Sequence, residues 1–332
     1  MTITSYTLVT GGLGYIASHT IPLLDCPVII IDNVSNSSLS QLEGIKSLTS
    51  HPVVFEKLDL TDKSALNHFF SRFHDGKSQI NQVLHFAGLK SVSDSLKTPD
   101  LYYNHNVVAT QNLLDVIEQY PIIKTLIFAS SAAVYGSAPP GVKEDIDCVP
   151  TTPYGVTKLK VEHILEQYSL SKGIDIAMLR YFNPIGVHPS GKLGEQSNNL
   201  MPIVLKSLRE GKTMTVFDGV RDYIAVMDVA RACILTMGYL KERREKDPDA
   251  QGICRAWNLG SGIGMTVKEI IKVFEQANGL KVDIVEGGKR EGDVDTLICD
   301  PSRARNELGW TQKTTLDQAF KDLWNWYNNQ LN

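Results

Sequence analysis

Thr10-Gly11-Gly12-Leu13-Gly14-Tyr15-Ile16-Ala17-Ser18-His19 follows the apolar run Tyr6-Thr7-Leu8-Val9 near the start of a 332-residue chain. Closely spaced glycines let a chain turn tightly and let backbone amides approach an anion. The helix that follows aims its N-terminal partial positive charge at the same point. A dinucleotide pyrophosphate suits such a turn. Ala17 stands where a third glycine often falls, and a methyl fits that helix–strand contact. Asp32 closes the next apolar run, where it can bond both hydroxyls of an adenosine ribose. It would repel a 2′-phosphate, and Asn33-Val34 brings no arginine to offset that. The cofactor expected is therefore NAD rather than NADP. The plain alternative is a tight strand–helix turn with a capping carboxylate. Pro22 should kink or shorten the first helix.

Working outward, short apolar runs at residues 6–10, 28–32, 53–57, 82–86, 125–130 and 176–181 alternate with helical patterns at 17–24, 64–73, 107–119 and 154–171. That alternation predicts an α/β chain, a Rossmann-type doubly wound parallel sheet with a smaller α/β C-terminal substrate domain. The runs are nearly continuous in apolar character, as strands covered on both faces require. After Phe182 the texture changes. Residues 183–199 are rich in Gly, Pro, Ser and Asn and read as a long irregular loop, where function often sits. Helical patterns follow at 200–210, 228–241, 267–277 and 316–327, and the charge run 241–246 reads as a solvated helix end. The division expected is 1–180 and 181–332, with part of 221–260 returning to the first domain.

The chain is 42% hydrophobic and 21% charged, with a net charge of −4. That is enough material for two cores, and the balance predicts neither nucleic-acid wrapping nor membrane-surface binding. The cysteines Cys26, Cys148, Cys233, Cys254 and Cys299 show no metal-ligand spacing, and their odd number suits no disulfide framework. Reduced packing residues in a cytoplasmic protein are expected, with no metal. No signal peptide or transmembrane helix is visible.

Tyr154-Gly155-Val156-Thr157-Lys158 places a phenol and an ammonium one helical turn apart on one face. A free tyrosine loses its proton at about pH 10. A neighbouring ammonium and the positive nicotinamide of NAD would stabilise the phenolate and lower that value. With twelve tyrosines, a chance Tyr-x-x-x-Lys is expected about once in such a chain, so context decides. The pair follows a strand ending in Ala129-Ser130-Ser131, which delivers a serine hydroxyl to the sheet's carboxyl edge, where open α/β sheets bind ligands.

Further strings complete a pattern: His85-Phe86-Ala87-Gly88-Leu89-Lys90, Tyr181-Phe182-Asn183-Pro184, Asn198-Asn199-Leu200-Met201-Pro202 and Val220-Arg221-Asp222-Tyr223-Ile224. With the glycine turn and the Tyr–Lys pair, they resemble the extended short-chain dehydrogenases/reductases, and among them the UDP-glucose 4-epimerase family, over essentially the whole chain. The resemblance implies catalysis by Tyr154, Lys158 and Ser131. For NAD it implies Gly11, Gly14, Tyr15, Ile16 and Asp32 at the turn, with Asn33, Asn36, Asp59 and Leu60 toward adenine. It adds Phe86, Ala87, Gly88, Lys90, Asn106 and Tyr181 along the cofactor's middle. A UDP-sugar would meet Lys90, Ser131 and Tyr154 at the sugar, then Asn183, Asn199, Leu200, Thr215 and Phe217. Arg221, Tyr223, Val267, Arg290 and Asp293 complete that set, the two guanidiniums being suited to a diphosphate. The family also implies a homodimer paired through helices 107–119 and 154–171.

Four features depart from the pattern. Ala133 replaces a usual hydroxyl two residues beyond the catalytic serine, and Ala225 a usual histidine. The loop before Arg221 is short, and so is the first crossover helix. Leu297, at the position tied to N-acetyl tolerance, is neither small nor bulky. A dehydratase needs an acid pair beside the serine, and a decarboxylating relative a glutamate; Ala132 and Ala133 argue against both. A 4-epimerase of another UDP-sugar and a non-catalytic NAD-binding sensor stay open as alternatives.

Overall fold

The computed structural model describes residues 3–195, 199–289 and 294–330. The first strands are β1 (Thr4–Thr10), β2 (Val28–Asp32), β3 (Val53–Lys57), β4 (Ser78–His85), β5 (Thr125–Ser131) and β6 (Asp175–Tyr181). Later come β7 (Asn183–Ile185), β8 (Met214–Val216), β9 (Val220–Ala225) and β10 (Cys254–Leu259). The shortest end the series: β11 (Gly264–Thr266), β12 (Ile284–Glu286) and β13 (Thr296–Leu297). Helices α1 (Tyr15–Thr20), α2 (Ser40–Leu48), α3 (Lys63–Arg72), α4 (Val92–Lys97), α5 (Pro99–Tyr102) and α6 (Ala109–Ile117) occupy the first part. They are followed by α7 (Pro153–Lys172), α8 (Leu200–Glu210), α9 (Val226–Lys246), α10 (Val267–Asn278), α11 (Ser302–Leu308) and α12 (Leu316–Asn329).

Seven strands make one sheet in the order β3-β2-β1-β4-β5-β6-β10, parallel at every pairing. Every residue of β2 and β6 is buried, because helices cover both faces. On one side α1, α2, α9 and α11 pack around Val9, Ile30, Leu179 and Trp257. On the other, α3, α6 and α7 pack around Leu8, Phe70, Val83 and Leu113. Each such side chain contributes about 1.5–3 kcal/mol by leaving water. The strand order reverses between β1 and β4, which opens a crevice at their carboxyl ends.

Local signals set the helix that carries the Tyr–Lys pair. Thr152 caps α7 by accepting a hydrogen bond from Gly155 N, Pro153 opens it, and Gly173 at φ 64° closes it. The remaining strands make a second layer in which β9 pairs with β7, β11 and β13, and β8 with β12. It packs on α8, α10 and α12 around Val204, Phe274 and Phe320.

Several expectations are corrected. The helix expected at 17–24 starts at Tyr15 and stops at Thr20, and Ile21–Leu23 continue as one 3₁₀ turn built on Pro22. The helix expected at 107–119 is α6, preceded by a π-helical segment, Tyr103–Val108. Residues 183–199 are not wholly irregular, since they open with β7. The helix expected at 228–241 runs on to Lys246, so the charge run forms its last turns, with the i,i+4 pairs Lys241–Glu245 and Glu242–Lys246. Helix α2 and strand β10 escaped the sequence reading, their apolar residues being too sparse to stand out. Among the described residues, no helix is long and apolar enough to cross a membrane. All five cysteines are unpaired thiols.

Candidate active site

The carboxyl ends of β1, β2, β4 and β5 surround a cavity of about 390 Å³. Gly11, at φ +65°, forms its floor. A Cβ there would stand 2.6 Å from Ala87 N, and one on Gly12 would stand 2.7 Å from Ile30 Cγ2. Gly14 precedes α1 with no side-chain cap on the helix's first amides. Tyr15 and Ile16 continue the wall. The turn is bare backbone at a helix start, packed so closely on Phe86 and Ala87 that no Cβ fits at Gly11. This fits a pyrophosphate.

Asp32 makes the capping bonds of the plain alternative and also lines the cavity. Its Oδ2 accepts from Leu13 N at 3.1 Å, and its Oδ1 from Val34 N at 2.8 Å and Ser37 Oγ at 2.9 Å. The carboxylate therefore caps the turn while facing the cavity. It has about four acceptor sites, so a ribose finds one vacant and a second by displacing Ser37. Val34 takes φ 59°, a strained value for a β-branched residue, at this same corner. Asn33, Asn36, Asp59 and Leu60 line the end beyond, and Asn33 Nδ2 donates to Asp59 Oδ2 at 2.7 Å.

Phe86, Ala87, Gly88 and Lys90 line the middle, and Tyr181 closes its inner side. Lys90 Nζ lies 5.6 Å from the Tyr15 ring centre and 2.9 Å from Glu195 Oε1. Sequence reasoning missed Glu195, a buried acid on the cavity wall; its only signal was an acid within the glycine-rich stretch after Phe182. Asn106, expected to touch cofactor, stands behind the wall instead. Its side chain accepts from Leu89 N at 2.7 Å and donates to Leu89 O at 3.1 Å and Thr157 Oγ1 at 2.9 Å. The π-helical segment that carries it turns it inward, tying the 86–90 loop to α7.

Ser131, Tyr154 and Lys158 converge on the cavity. The Ser131 hydroxyl accepts from Ala133 N at 3.2 Å and lies close enough to the Tyr154 phenol to favour its ionised form. Lys158 Nζ donates to Ala129 O at 2.8 Å, 4.7 Å from the Phe128 ring centre. Gly155 permits this approach, because a Cβ there would stand 2.5 Å from Ala133 O. Burial pushes the Tyr154 phenol up to about 12, opposed by the Ser131 hydroxyl and assisted by Tyr102. Burial likewise pushes Lys158 down to about 8, opposed by the Glu162 carboxylate. In the chain without NAD, desolvation sets the direction, opposite to the lowering expected with the nicotinamide bound. The phenolate needs further positive charge.

On the opposite side, Asn199 reaches the wall and hydrogen-bonds Glu195. Asn183, Leu200, Thr215, Phe217 and Val267 do not line this cavity, and neither do Arg221 and Tyr223. They stand on or beside β7, α8, β8, β9 and α10. Strand register sets Asn183 beside Tyr223 and Arg221 beside Leu297. Arg221 Nη1 donates to Val220 O at 3.1 Å, and its neighbour Asp222 accepts from Ser261 N, Gly262 N and Cys299 N. Phe217, Asp218 and Gly219 are the whole connection between β8 and β9. Ala133 lines the cavity and Ala225 is buried. Asn198, Arg290 and Asp293 lie outside the described residues. Among the described residues, no cluster of His, Cys, Asp and Glu could hold a metal.

Residues 8–323 match the family model for GDP-mannose 4,6 dehydratase. UDP-glucose 4-epimerase 2 of Arabidopsis thaliana is 40% identical, covering 97% of this chain and 95% of that one. The bifunctional protein GAL10 of Pachysolen tannophilus is 41% identical over 97% of this chain, which spans about half (48%) of that longer protein. The crystal structure of UDP-glucose 4-epimerase from Bifidobacterium longum with NAD+ and UDP superposes with a TM-score of 0.89 at 35% identity, covering 98% of this chain and 99% of that one. The dehydratase-named model spans the wider group; here Ala132 and Ala133 stand where a dehydratase needs acids. The chain belongs to the UDP-glucose 4-epimerase family of extended short-chain dehydrogenases/reductases.

Proposed function

We propose that the chain is an NAD-dependent UDP-glucose/UDP-galactose 4-epimerase working through a transient 4-keto sugar. The observation that carries this is the convergence of Ser131, Tyr154 and Lys158 on one cavity with the glycine turn and Asp32, in a chain whose relatives bear that activity. Bound NAD would accept the hydride from carbon 4 of the sugar and return it. The Tyr154 oxygen takes the proton from the 4-hydroxyl and later gives it back. Ser131 bonds that oxygen and keeps the phenol aimed at it. The Lys158 ammonium biases Tyr154 toward phenolate and bonds the nicotinamide ribose, which means leaving Ala129 O or sharing with it. Asp32 holds the adenosine ribose, and Gly11 and Gly14 leave room for the pyrophosphate. Ala132 and Ala133 supply no acid to expel water, so the keto sugar is returned and not dehydrated.

The same reading divides the chain near residue 180, with NAD on the first part and the UDP-sugar on the second. Asn183, Asn199, Leu200, Thr215, Phe217, Arg221, Tyr223, Val267, Arg290 and Asp293 would hold the nucleotide, on the strength of family resemblance. We place the protein in the cytoplasm, on its unpaired thiols, and pair it as a homodimer through α6 and α7. A surface groove lies between those helices, lined by Val108, Leu114, Ile164 and Tyr168 among the polar Gln111, Asn112, Asp115, Gln167 and Ser171. Analytical ultracentrifugation decides the pairing.

The deciding assay incubates purified protein with UDP-galactose without added reductant and resolves the products by chromatography. UDP-glucose is expected. Tyr154→Phe should lower turnover by about 10²–10⁴-fold. Turnover of UDP-arabinose or UDP-galacturonate without UDP-galactose would replace the hexose assignment.

A further inference from the structure

Behind Ser131 and Lys158 lies a buried charged cluster. Glu162, 1% exposed, stands on α7 one turn beyond Lys158. Its Oε1 accepts from Ser130 Oγ at 2.5 Å and Arg180 Nε at 3.0 Å, and its Oε2 from Arg180 Nη2 at 2.7 Å. Arg180 Nη1 continues to Tyr135 Oη at 2.8 Å and Glu144 O at 3.1 Å. Tyr135 in turn donates to Asn258 Oδ1 at 2.6 Å.

Chain order gives the cluster its meaning. Ser130 immediately precedes Ser131 on β5, and Arg180 immediately precedes Tyr181 on β6, in matching register. One carboxylate thus joins β5, β6 and α7, and each joined residue is next to, or one turn from, a cavity-wall residue. Stability alone does not account for this. Apolar groups of similar volume often replace a buried ion pair without loss. A fixed position and a fixed charge are what such a pair can add.

The charges around each group have definite signs. The ammonium of Lys158 is faced by Tyr154 and Glu162 on its own helix and by His85 on β4. Burial keeps His85 neutral, pushed down to about 3. The Glu162 carboxylate is faced by Arg180, by the Cys254 thiol on β10, and beyond Arg180 by Tyr135 and Cys148. Burial holds both thiols in the neutral form, Cys254 being pushed up to about 12. Glu162 is therefore the negative charge acting on Lys158 from within the cluster.

We infer that Glu162 is a positioning residue of the reaction: through Ser130 and Arg180 it fixes Ser131 against the Tyr154–Lys158 face of α7, and it sets a carboxylate one turn from the Lys158 ammonium. This rests on the roles given above to Tyr154 and Lys158. The test follows UDP-galactose turnover and NAD affinity from neutral to alkaline pH in wild type, Glu162→Gln, Ser130→Ala and the double variant Glu162→Gln/Arg180→Met. Losing the carboxylate lets Lys158 shed its proton at lower pH, so the alkaline limb should move down by about one unit in Glu162→Gln. Turnover number should fall about tenfold or more, with KM within about twofold. Ser130→Ala should lower turnover severalfold without moving the limb. The double variant, relieved of an orphaned arginine, should fold normally and keep the displaced limb. A double variant with the wild-type limb and turnover overturns the inference and leaves a core ion pair. If wild type fails to turn over UDP-galactose, the functional assignment fails first. The pH limb of NAD affinity, read by calorimetry, still decides the role of Glu162.

Discussion

The cavity wall and the second wall proposed for the nucleotide are built by different means. The first is made of the ends of β1, β2, β4 and β5, held by long parallel ladders and a turn stripped to backbone. The second rests on short strands joined across distant sequence: β7 to β9, where Asn183 meets Tyr223, and β13 to β9, where Leu297 meets Arg221. In the first wall the backbone does the positioning, so spacing along the chain translates directly into spacing in the site. In the second, position depends on which remote segments pair, and no local run of residues announces that.

Substitutions on each wall break or sharpen this contrast. The largest effect is expected from Gly11→Ala on the first. A methyl 2.6 Å from Ala87 N, on a residue at φ +65°, should cost about 1–3 kcal/mol in backbone strain alone and empty the protein of NAD. Thermal melts and acid release of bound nucleotide measure both, and wild-type NAD content would show that bare backbone is dispensable there. On the second wall, Arg221→Ala should raise KM for UDP-galactose roughly tenfold or more through lost charge-assisted hydrogen bonds. NAD content should stay unchanged; if it fell, the walls would not be separable.

The smallest effect concerns acid. Burial pushes His19 down to about 4 and His85 down to about 3, on α1 and β4 behind the first wall. Folded, they stay neutral, while the unfolded chain takes up their protons below about pH 6.5. The unfolded state binds more protons in that window, so stability is full above about pH 6.5 and is lost as pH falls toward the folded values. His85 bridges Thr10 at 2.7 Å and Thr110 at 2.8 Å. His85→Gln should flatten the pH dependence of the urea midpoint between those limits, and an unaltered slope would assign the acid response elsewhere.

Legibility in the sequence follows the same division. The Val-Ile-Ile-Ile-Asp run of β2 marked its own bounds, and the helix expected at 154–171 is α7, one residue longer at each end. Tyr154, Lys158 and Ser131 could be paired because a strand end and a helix start lie close in sequence. The bonds of Asn106 to Leu89 and Thr157 were not legible, because a π-helical segment breaks the regular helix spacing there. Glu195 was invisible since its partner Lys90 is far away along the chain. The depth at which Tyr154 is buried was likewise not legible, because composition reports a neighbouring ammonium but not the desolvation that raises the phenol.

Asp222 gives the second wall one fixed point. Buried and bonded to the backbone at Ser261, Gly262 and Cys299, it anchors β9 from the side away from the three-residue connection Phe217–Gly219. The backbone beneath Arg221 therefore has a footing outside that connection, while its guanidinium packs against Gly219 within it. That footing makes the connection a natural graft point: a few residues inserted at Asp218 should cost under about 1 kcal/mol in loop entropy and change what the cleft admits while its frame stays put. A steep drop in melting temperature on insertion would show that the frame leans on the loop after all.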